Sequence, residues 1–148
     1  MKNVPDICIS ETTDSVIRFQ EKRSVIRFHN PDNHLYKRIQ VDGCALHEGE
    51  KCDNMLCSAD EREERYVELK GSDIPHAIDQ LRATIIQLGE YDENRHAYVV
   101  CTKVAPQITT AIQRAKVEFL KRFKSELLVK ETPLDIRLLS QRIMITYW

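Results

Sequence analysis

Apolar and polar residues alternate along much of the first half of the chain, which predicts β-strands there. The pentapeptides Ser15–Phe19 and Ser24–Phe28 both read Ser-Val-Ile-Arg-Phe, and the four polar residues between them suit a hairpin turn. Residues 1–14 have no clear period and are interpreted as an arm or an edge strand, and 44–52 and 59–65 as polar connections. Three further strands are predicted over residues 35–41, 54–58 and 66–70.

Helical spacing of the apolar residues begins after Asp73, which is a good N-cap residue. Apolar side chains recur at 74, 77, 78, 81, 85 and 88, and Gly89 can end this helix. Residues 97–102 are almost continuously apolar, as in a strand that is buried on both faces. A strand, a helix and a buried strand in this order predict a right-handed βαβ crossover between parallel strands.

The C-terminal third predicts a second helix, from Pro106 to about Phe123, and two closing strands near 127–129 and 143–148. No linker or change of composition divides the chain. The sequence therefore predicts one α/β domain over residues 1–148, with a mixed central sheet flanked by helices.

Composition and charge narrow the class of protein. The chain has 148 residues, of which 42% are hydrophobic and 30% charged, as in ordinary soluble domains. It contains no apolar run long enough to span a membrane and no secretory signal, so we expect a cytoplasmic protein with reduced cysteines. The net charge is −1, but residues 48–68 are strongly acidic and 114–124 strongly basic. This distribution suits a metal site beside a phosphate-binding surface, or an ordinary solvated helix face.

Candidate chemistry is concentrated in the predicted strand over 66–70. Period-two alternation puts Glu68 and Lys70 on one face of it, and a hairpin between this strand and 54–58 would bring Asp53 beside Glu68. Two carboxylates and a lysine at one sheet edge can hold a divalent cation and a water molecule. These are the groups needed to hydrolyse a phosphodiester.

Asp53, followed after fourteen intervening residues by Glu68-Leu69-Lys70, resembles the motif of the PD-(D/E)xK nuclease superfamily, with Cys52 in place of the motif's proline. The resemblance extends over about 41–123 in the order of elements: a hairpin carrying the acids, a helix, a parallel strand and a second helix. It implies a restriction-endonuclease-like fold and a nuclease that cuts DNA with Mg²⁺ or Mn²⁺.

The resemblance also implies a role for each motif residue. The side chains of Asp53 and Glu68 and the carbonyl of Leu69 would bind the metal ion, and Lys70 would orient the attacking water. Many members of the superfamily have a further acid nearer the N-terminus, for which Glu21 is chosen, with Glu11 as its competitor.

RecB-like members carry a glutamine in the helix after the motif and a tyrosine four residues later. Gln80 occupies the glutamine position, whereas Thr84 stands where the tyrosine would be. His76 lies one helical turn before Gln80, where it could contact phosphate.

A nuclease of this size has little chain left for recognition, so specificity would come from substrate structure or from a partner protein. Cutting both strands of a duplex favours a homodimer, and stand-alone nucleases of this type often belong to defence operons. Two alternatives stay open. One is a catalytically inactive nuclease-fold subunit that binds within a larger complex. The other is a zinc-stabilised nucleic-acid-binding domain, whose ligands would be Cys44, His47, Cys52 and Cys57.

Overall fold

Two β-sheets and two α-helices make up the part of the chain that the computed structural model describes, residues 1–70 and 72–139. The helices are α1 (Ile74–Leu88) and α2 (Thr109–Phe123). The strands are β1 (Ile9–Thr12), β2 (Val16–Glu21), β3 (Ser24–His29), β4 (Tyr36–Gln40), β5 (Asn54–Ser58), β6 (Glu63–Leu69), β7 (Asn94–Cys101), β8 (Ser125–Glu131) and β9 (Leu134–Arg137). The strand predicted over 143–148 lies outside the described residues.

A six-stranded mixed sheet forms the centre of the structure, in the order β1-β4-β5-β6-β7-β8. Neighbouring strands from β1 to β6 are antiparallel, whereas β6, β7 and β8 run parallel. The predicted mixed α/β architecture is confirmed, as are the hairpin formed by β5 and β6 and the parallel pairing of β6 with β7 across α1. The N-terminal segment supplies β1 as an edge strand.

Both helices pack on one face of this sheet through their apolar stripes. The α1 stripe follows the predicted positions, and the Asp73 side chain caps α1 by accepting a hydrogen bond from the N–H of His76 at 3.2 Å. Pro106–Ile108 forms a 3-10 turn, so α2 begins three residues later than the sequence suggested. None of the helices in the described residues is long and apolar enough to cross a membrane.

A second, three-stranded sheet covers the opposite face. The predicted hairpin of β2 and β3 is confirmed, and β9, which was not predicted, pairs parallel to β3. The inward side chains of this small sheet pack against the central sheet, so the described residues form three layers: helices, central sheet and small sheet. The inward side chains of β2 and β3 are Ile17, Phe19, Ile26 and Phe28.

Charged residues in β6 are the main departure from the predicted pattern. Glu63, Glu64 and Arg65 lie in β6 and are buried, so the prediction of a polar connection over 59–65 is wrong for them. Arg65 donates to Glu63 Oε1 at 2.7 Å, and Arg95 Nε donates to Glu64 Oε1 at 3.0 Å. Because each of these charged side chains has a partner inside the protein, a charged segment that would be predicted to be exposed can form a buried strand.

The cysteines also differ from the expectation that all are reduced. Cys8 and Cys44 form a disulfide, with their Cα atoms 5.6 Å apart, whereas Cys52, Cys57 and Cys101 are free and buried. The disulfide removes Cys44 from the four proposed zinc ligands, and the structure does not bring those four side chains together. The zinc-site hypothesis is therefore wrong for this ligand set.

We expect removal of the disulfide to lower stability without changing the fold. It closes a loop with a sequence separation of 36, and a cross-link of this span stabilises by about 4 kcal/mol, chiefly through the unfolded chain. Cys8→Ser combined with Cys44→Ser should lower the free energy of unfolding by that amount in urea denaturation. Dithiothreitol should bring the wild type to the same midpoint and leave the double variant unchanged. A reductant effect of equal size on both proteins would contradict the prediction.

Candidate functional site

The antiparallel pairing of β5 and β6 brings Asp53 and Glu68 together. Asn54 lies opposite Val67, so the residues one step further, Asp53 and Glu68, face each other where β5 begins and β6 ends. The N–H of Asp53 donates to Glu68 Oε1 at 3.1 Å, and the N–H of Leu69 donates to Asp53 Oδ2 at 2.8 Å. We call these two carboxylates the acid pair. Its spacing in sequence follows directly from the hairpin register.

The environment of the acid pair opposes ionisation. The pKa of Glu68 is raised from 4.5 to about 8, first by burial and then by the negative charge of Asp53, while Lys70 acts in the opposite direction. Burial also raises the pKa of Asp53 from 3.8 to about 7, with further contributions from Glu21 and Asp42. Like charges in a partly buried site are therefore held together without enough positive charge to neutralise them.

Lys70 is held between the acid pair and α1. Its Nζ lies 3.9 Å from Glu68 Oε2 and donates to Gln80 Oε1 at 3.3 Å. Gln80 Nε2 in turn donates to the carbonyl of Lys51 at 3.1 Å. Gln80 therefore orients the ammonium group toward Glu68 and joins α1 to the segment that precedes Asp53.

Thr84 makes a second link between α1 and this segment. Its buried hydroxyl donates to the carbonyl of Gln80 and accepts from the N–H of Cys52, both at 2.8 Å. The sequence shows Thr84 only as a departure from the tyrosine of RecB-like nucleases. Its role in fixing the backbone next to Asp53 depends on the packing of α1, which no local pattern reveals.

The turn between β2 and β3, residues 21–24, closes the site from the side of the small sheet. Lys22 adopts a left-handed conformation, with φ 52°, at this turn, and Ser24 Oγ donates to the carbonyl of Lys70 at 3.1 Å. Glu21, at the end of β2, is exposed and close enough to raise the pKa of Asp53. The small sheet thus adds a third acid and two basic residues, Lys22 and Arg23, to the site.

A cavity of about 450 Å³ joins these groups. Its lining includes every predicted site residue: Glu21, Asp53, Glu68, Leu69, Lys70 and Gln80. It also includes Lys22, Arg23, Ser24 and Asp42, which the sequence did not indicate as site residues. Asp42 precedes a turn at Gly43, where φ is 79°, and it also lines the cavity.

Two other candidates lie away from the cavity lining. Glu11, the competitor of Glu21, lies on β1 opposite Lys37, with β4 and β5 between it and β6. His76 Nε2 lies 3.5 Å from Glu50 Oε2, an ion-pair contact when the ring is protonated. Neither therefore belongs to the group around the acid pair.

The basic segment 114–124 begins and ends outside the cavity lining. Lys124 Nζ lies 3.7 Å from Asp92 Oδ2, just before β7 begins, whereas the cavity lies where β7 ends. Arg122 donates to Glu118 at 3.3 Å within α2. The C-terminal end of this segment is therefore at the opposite end of the sheet from Glu68.

The donor set of the acid pair fits a hard divalent cation. Among residues 1–70 and 72–139, no group of three or more His, Cys, Asp or Glu side chains is arranged to hold a metal ion. Mg²⁺ takes only one or two carboxylates from a protein and keeps several water ligands, so Asp53 and Glu68 suffice for it. A soft-ligand zinc cage would need more side chains.

The geometry of this cavity is the basis for assigning a function. No protein-family model matches the sequence, and no curated protein or solved structure matches the chain.

Proposed function

We propose that this chain is a metal-dependent nuclease of the PD-(D/E)xK type, which hydrolyses the backbone of DNA. The observation that carries the proposal is the acid pair itself. Ion pairs that only stabilise a fold lower the pKa of their acids, as Arg82 does for Glu118 on the helices. Asp53 and Glu68 have raised pKa values instead, in a cavity that also contains Lys70, the residue that follows β6. Such groups are typical of functional sites.

Asp53, Glu68 and the carbonyl of Leu69 would hold Mg²⁺ or Mn²⁺. A bound divalent cation polarises a phosphate and makes a coordinated water nucleophilic at neutral pH. Lys70, whose Nζ lies 3.9 Å from Glu68 Oε2, would orient the water and stabilise charge that develops on the phosphate. Gln80 is a positioning residue, because it acts through its hydrogen bond to Lys70.

The order of elements also supports the proposal. A hairpin carrying two acids, a helix, a parallel strand and a second helix is the core order of the restriction-endonuclease-like fold, and this chain has it from β5 to α2. Lys22 and Arg23 at the cavity would attract a phosphate toward the acids.

The wider setting is part of the same proposal. One active site per chain implies a homodimer for cutting both strands, or a partner protein that delivers the substrate. A cytoplasmic location is also proposed, and the disulfide between Cys8 and Cys44 weighs against it, because such bonds are rare in reducing compartments.

The test is cleavage of plasmid, linear duplex, single-stranded DNA and RNA in Mg²⁺ or Mn²⁺, with EDTA as the blank. We expect DNA cleavage by the wild type, and a loss of about 10²-fold or more in Lys70→Ala because a donor to the transition state is removed. Lys121→Ala is the matched control, since Lys121 is exposed on α2 and does not line the cavity; it should cut like the wild type.

Cleavage that survives in Lys70→Ala and in Glu68→Ala would place the activity elsewhere or in a contaminant. Failure to cut any of the four substrates would overturn the proposal and favour a nuclease-fold binding subunit.

A further inference from the structure

The outward face of the small sheet carries basic side chains. Alternation in β2 and β3 sends the apolar residues inward, onto the central sheet, and leaves every second residue facing solvent. Asp135 is the only acid at the outward positions of the three strands, and no Phe, Tyr or Trp occupies any of them. We call this surface the arginine face; its basic residues are Arg18, Arg27, His29 and Arg137.

Asp135 organises part of the arginine face. Its two carboxylate oxygens accept from Arg27 Nε at 2.8 Å and from Arg27 Nη2 at 3.1 Å, and Oδ1 lies 2.7 Å from His29 Nε2. The bidentate contact fixes the plane of the guanidinium group and leaves its remaining N–H groups free of this carboxylate. One acid therefore positions two basic side chains.

A cavity of about 540 Å³ extends this face at the end of β3. Its lining includes His29, Asp135 and Arg137 from the arginine face, together with Val16 and Pro31. The surface is thus concave at the end where β2 begins, and Arg137 lies at the edge of the concavity.

The opposite end of the arginine face meets the candidate active site. Glu21, Lys22 and Arg23 lie in the β2–β3 turn and line the cavity of the acid pair. Val16–Glu21 contains 6 residues, so the two ends of the strand are about 17 Å apart at about 3.4 Å per residue. B-form DNA rises about 3.4 Å per base pair, and the face would therefore cover about five base pairs.

We propose that the arginine face binds the phosphate backbone of duplex DNA along about five base pairs on one side of the phosphate that is cut. The position of the bound duplex relative to a cleaved phosphate rests on the proposed nuclease function, whereas the binding of duplex DNA to this face does not. Single-strand binders use aromatic side chains as stacking platforms. The aromatic residues of these strands, Phe19 and Phe28, point inward and cannot stack on bases. The arginine face therefore suits contacts to the phosphates of a regular duplex.

The basic helix α2 is a weaker candidate for this role. Arg122 contacts Glu118, and Lys124 contacts Asp92 at the opposite end of the central sheet from the acid pair. A duplex lying there would not be continuous with the cavity around Glu68.

The experiment measures binding without cleavage. Anisotropy of a fluorescein-labelled duplex of about 20 base pairs is followed in EDTA over a range of salt concentrations. The variant Arg18→Gln with Arg137→Gln removes two cations from the arginine face. The control Arg114→Gln with Lys121→Gln removes two exposed cations from α2, so the net charge of the two proteins is the same.

We expect the arginine-face variant to bind at least about tenfold more weakly at low salt, and its slope of log K against log salt to fall by about 2. The control should change far less. Equal losses in the two variants, no loss in the first, or tighter binding of the single strand than of the duplex would each overturn the inference.

The two proposals fail separately in these measurements. If the arginine-face variant loses duplex binding and the wild type cuts none of the substrates, the arginine face is supported and the nuclease proposal is rejected. If the wild type cuts DNA and the substitutions at Arg18 and Arg137 do not change duplex binding, the nuclease proposal is supported and the arginine face is rejected.

Discussion

Glu68→Gln is expected to reduce DNA cleavage by about 10³-fold or more and, at the same time, to make the protein more stable at pH 8. The loss of activity would follow because, in the proposed mechanism, the Glu68 carboxylate binds the divalent cation. The gain in stability follows because Glu68 is buried beside Asp53, and burial raises its pKa to about 8. The Gln oxygen can still accept from the N–H of Asp53. We expect about 1–2 kcal/mol, discounted for solvent in the cavity.

The raised pKa values of the acid pair also predict how stability changes with pH. The folded protein has pKa values of about 8 for Glu68 and about 7 for Asp53, against 4.5 and 3.8 for the free groups. Between these limits the folded state binds more protons than the unfolded state, so the free energy of unfolding of the metal-free protein falls as pH rises. Urea titrations from pH 5 to pH 9 should show this fall, and it should be shallower in Glu68→Gln.

Mg²⁺ should reverse the fall at high pH in the wild type, because a ligand that binds only the folded state stabilises it by mass action. It should have much less effect on Glu68→Gln. Glu118→Gln is the matched control: Arg82 lowers the pKa of that acid, so its loss should cost a little stability and leave cleavage intact. A Glu68→Gln variant that is less stable than wild type at pH 8 and still cuts would show that Glu68 is a structural residue.

Arg95→Met is expected to lower the free energy of unfolding by about 3–5 kcal/mol, because it leaves a buried carboxylate without its guanidinium. Arg95 Nε donates to Glu64 Oε1 at 3.0 Å, Arg95 Nη1 donates to the carbonyl of Phe123 at 2.9 Å, and Glu64 is fully buried. Urea denaturation followed by circular dichroism measures the loss.

Removing both charges tests the mechanism of this effect. Glu64→Gln combined with Arg95→Met should recover part of the stability, since the carboxylate that lost its guanidinium is then neutral and the N-terminal ammonium keeps Glu90 as a partner. Arg62→Met is the control: Arg62 is exposed and pairs with Glu93 at 2.9 Å, which predicts a change below about 1 kcal/mol. Equal losses in Arg95→Met and Arg62→Met would contradict a buried ion pair. Because Arg95 lies at the start of β7, away from the cavity, cleavage by the folded fraction should not change.

Local sequence was sufficient for the part of the site that a single hairpin builds. Asp53 and Glu68 meet through the register of β5 and β6, and alternation alone puts Lys70 on the same face as Glu68. These relations involve neighbouring elements, whose geometry depends little on the rest of the fold. The same holds for α1, whose apolar stripe and N-cap at Asp73 were readable from residue spacing.

Relations between distant segments were not readable. The pairing of β9 with β3 joins residues 108 positions apart, and the disulfide joins Cys8 to a turn that has no pattern of its own. The buried charges of β6 were missed for a related reason: Glu64 looks solvated unless Arg95, in another strand, is known to face it. The pattern of apolar and polar residues predicts which residues are exposed only if polar residues have no partners in the interior, because a paired charge can be buried.

The two halves of the candidate site differ in how far apart their parts lie along the chain. The hydrogen bonds of the acid pair join residues 15 and 16 positions apart. The β2–β3 turn reaches the site through the bond from Ser24 to Lys70, which spans 46 positions, and the N–H of Val25 bonds to Thr132 across 107. Closing longer loops costs more conformational entropy and slows folding. The acids can therefore come together within one short peptide, whereas the wall that faces them requires nearly the whole chain to be in place.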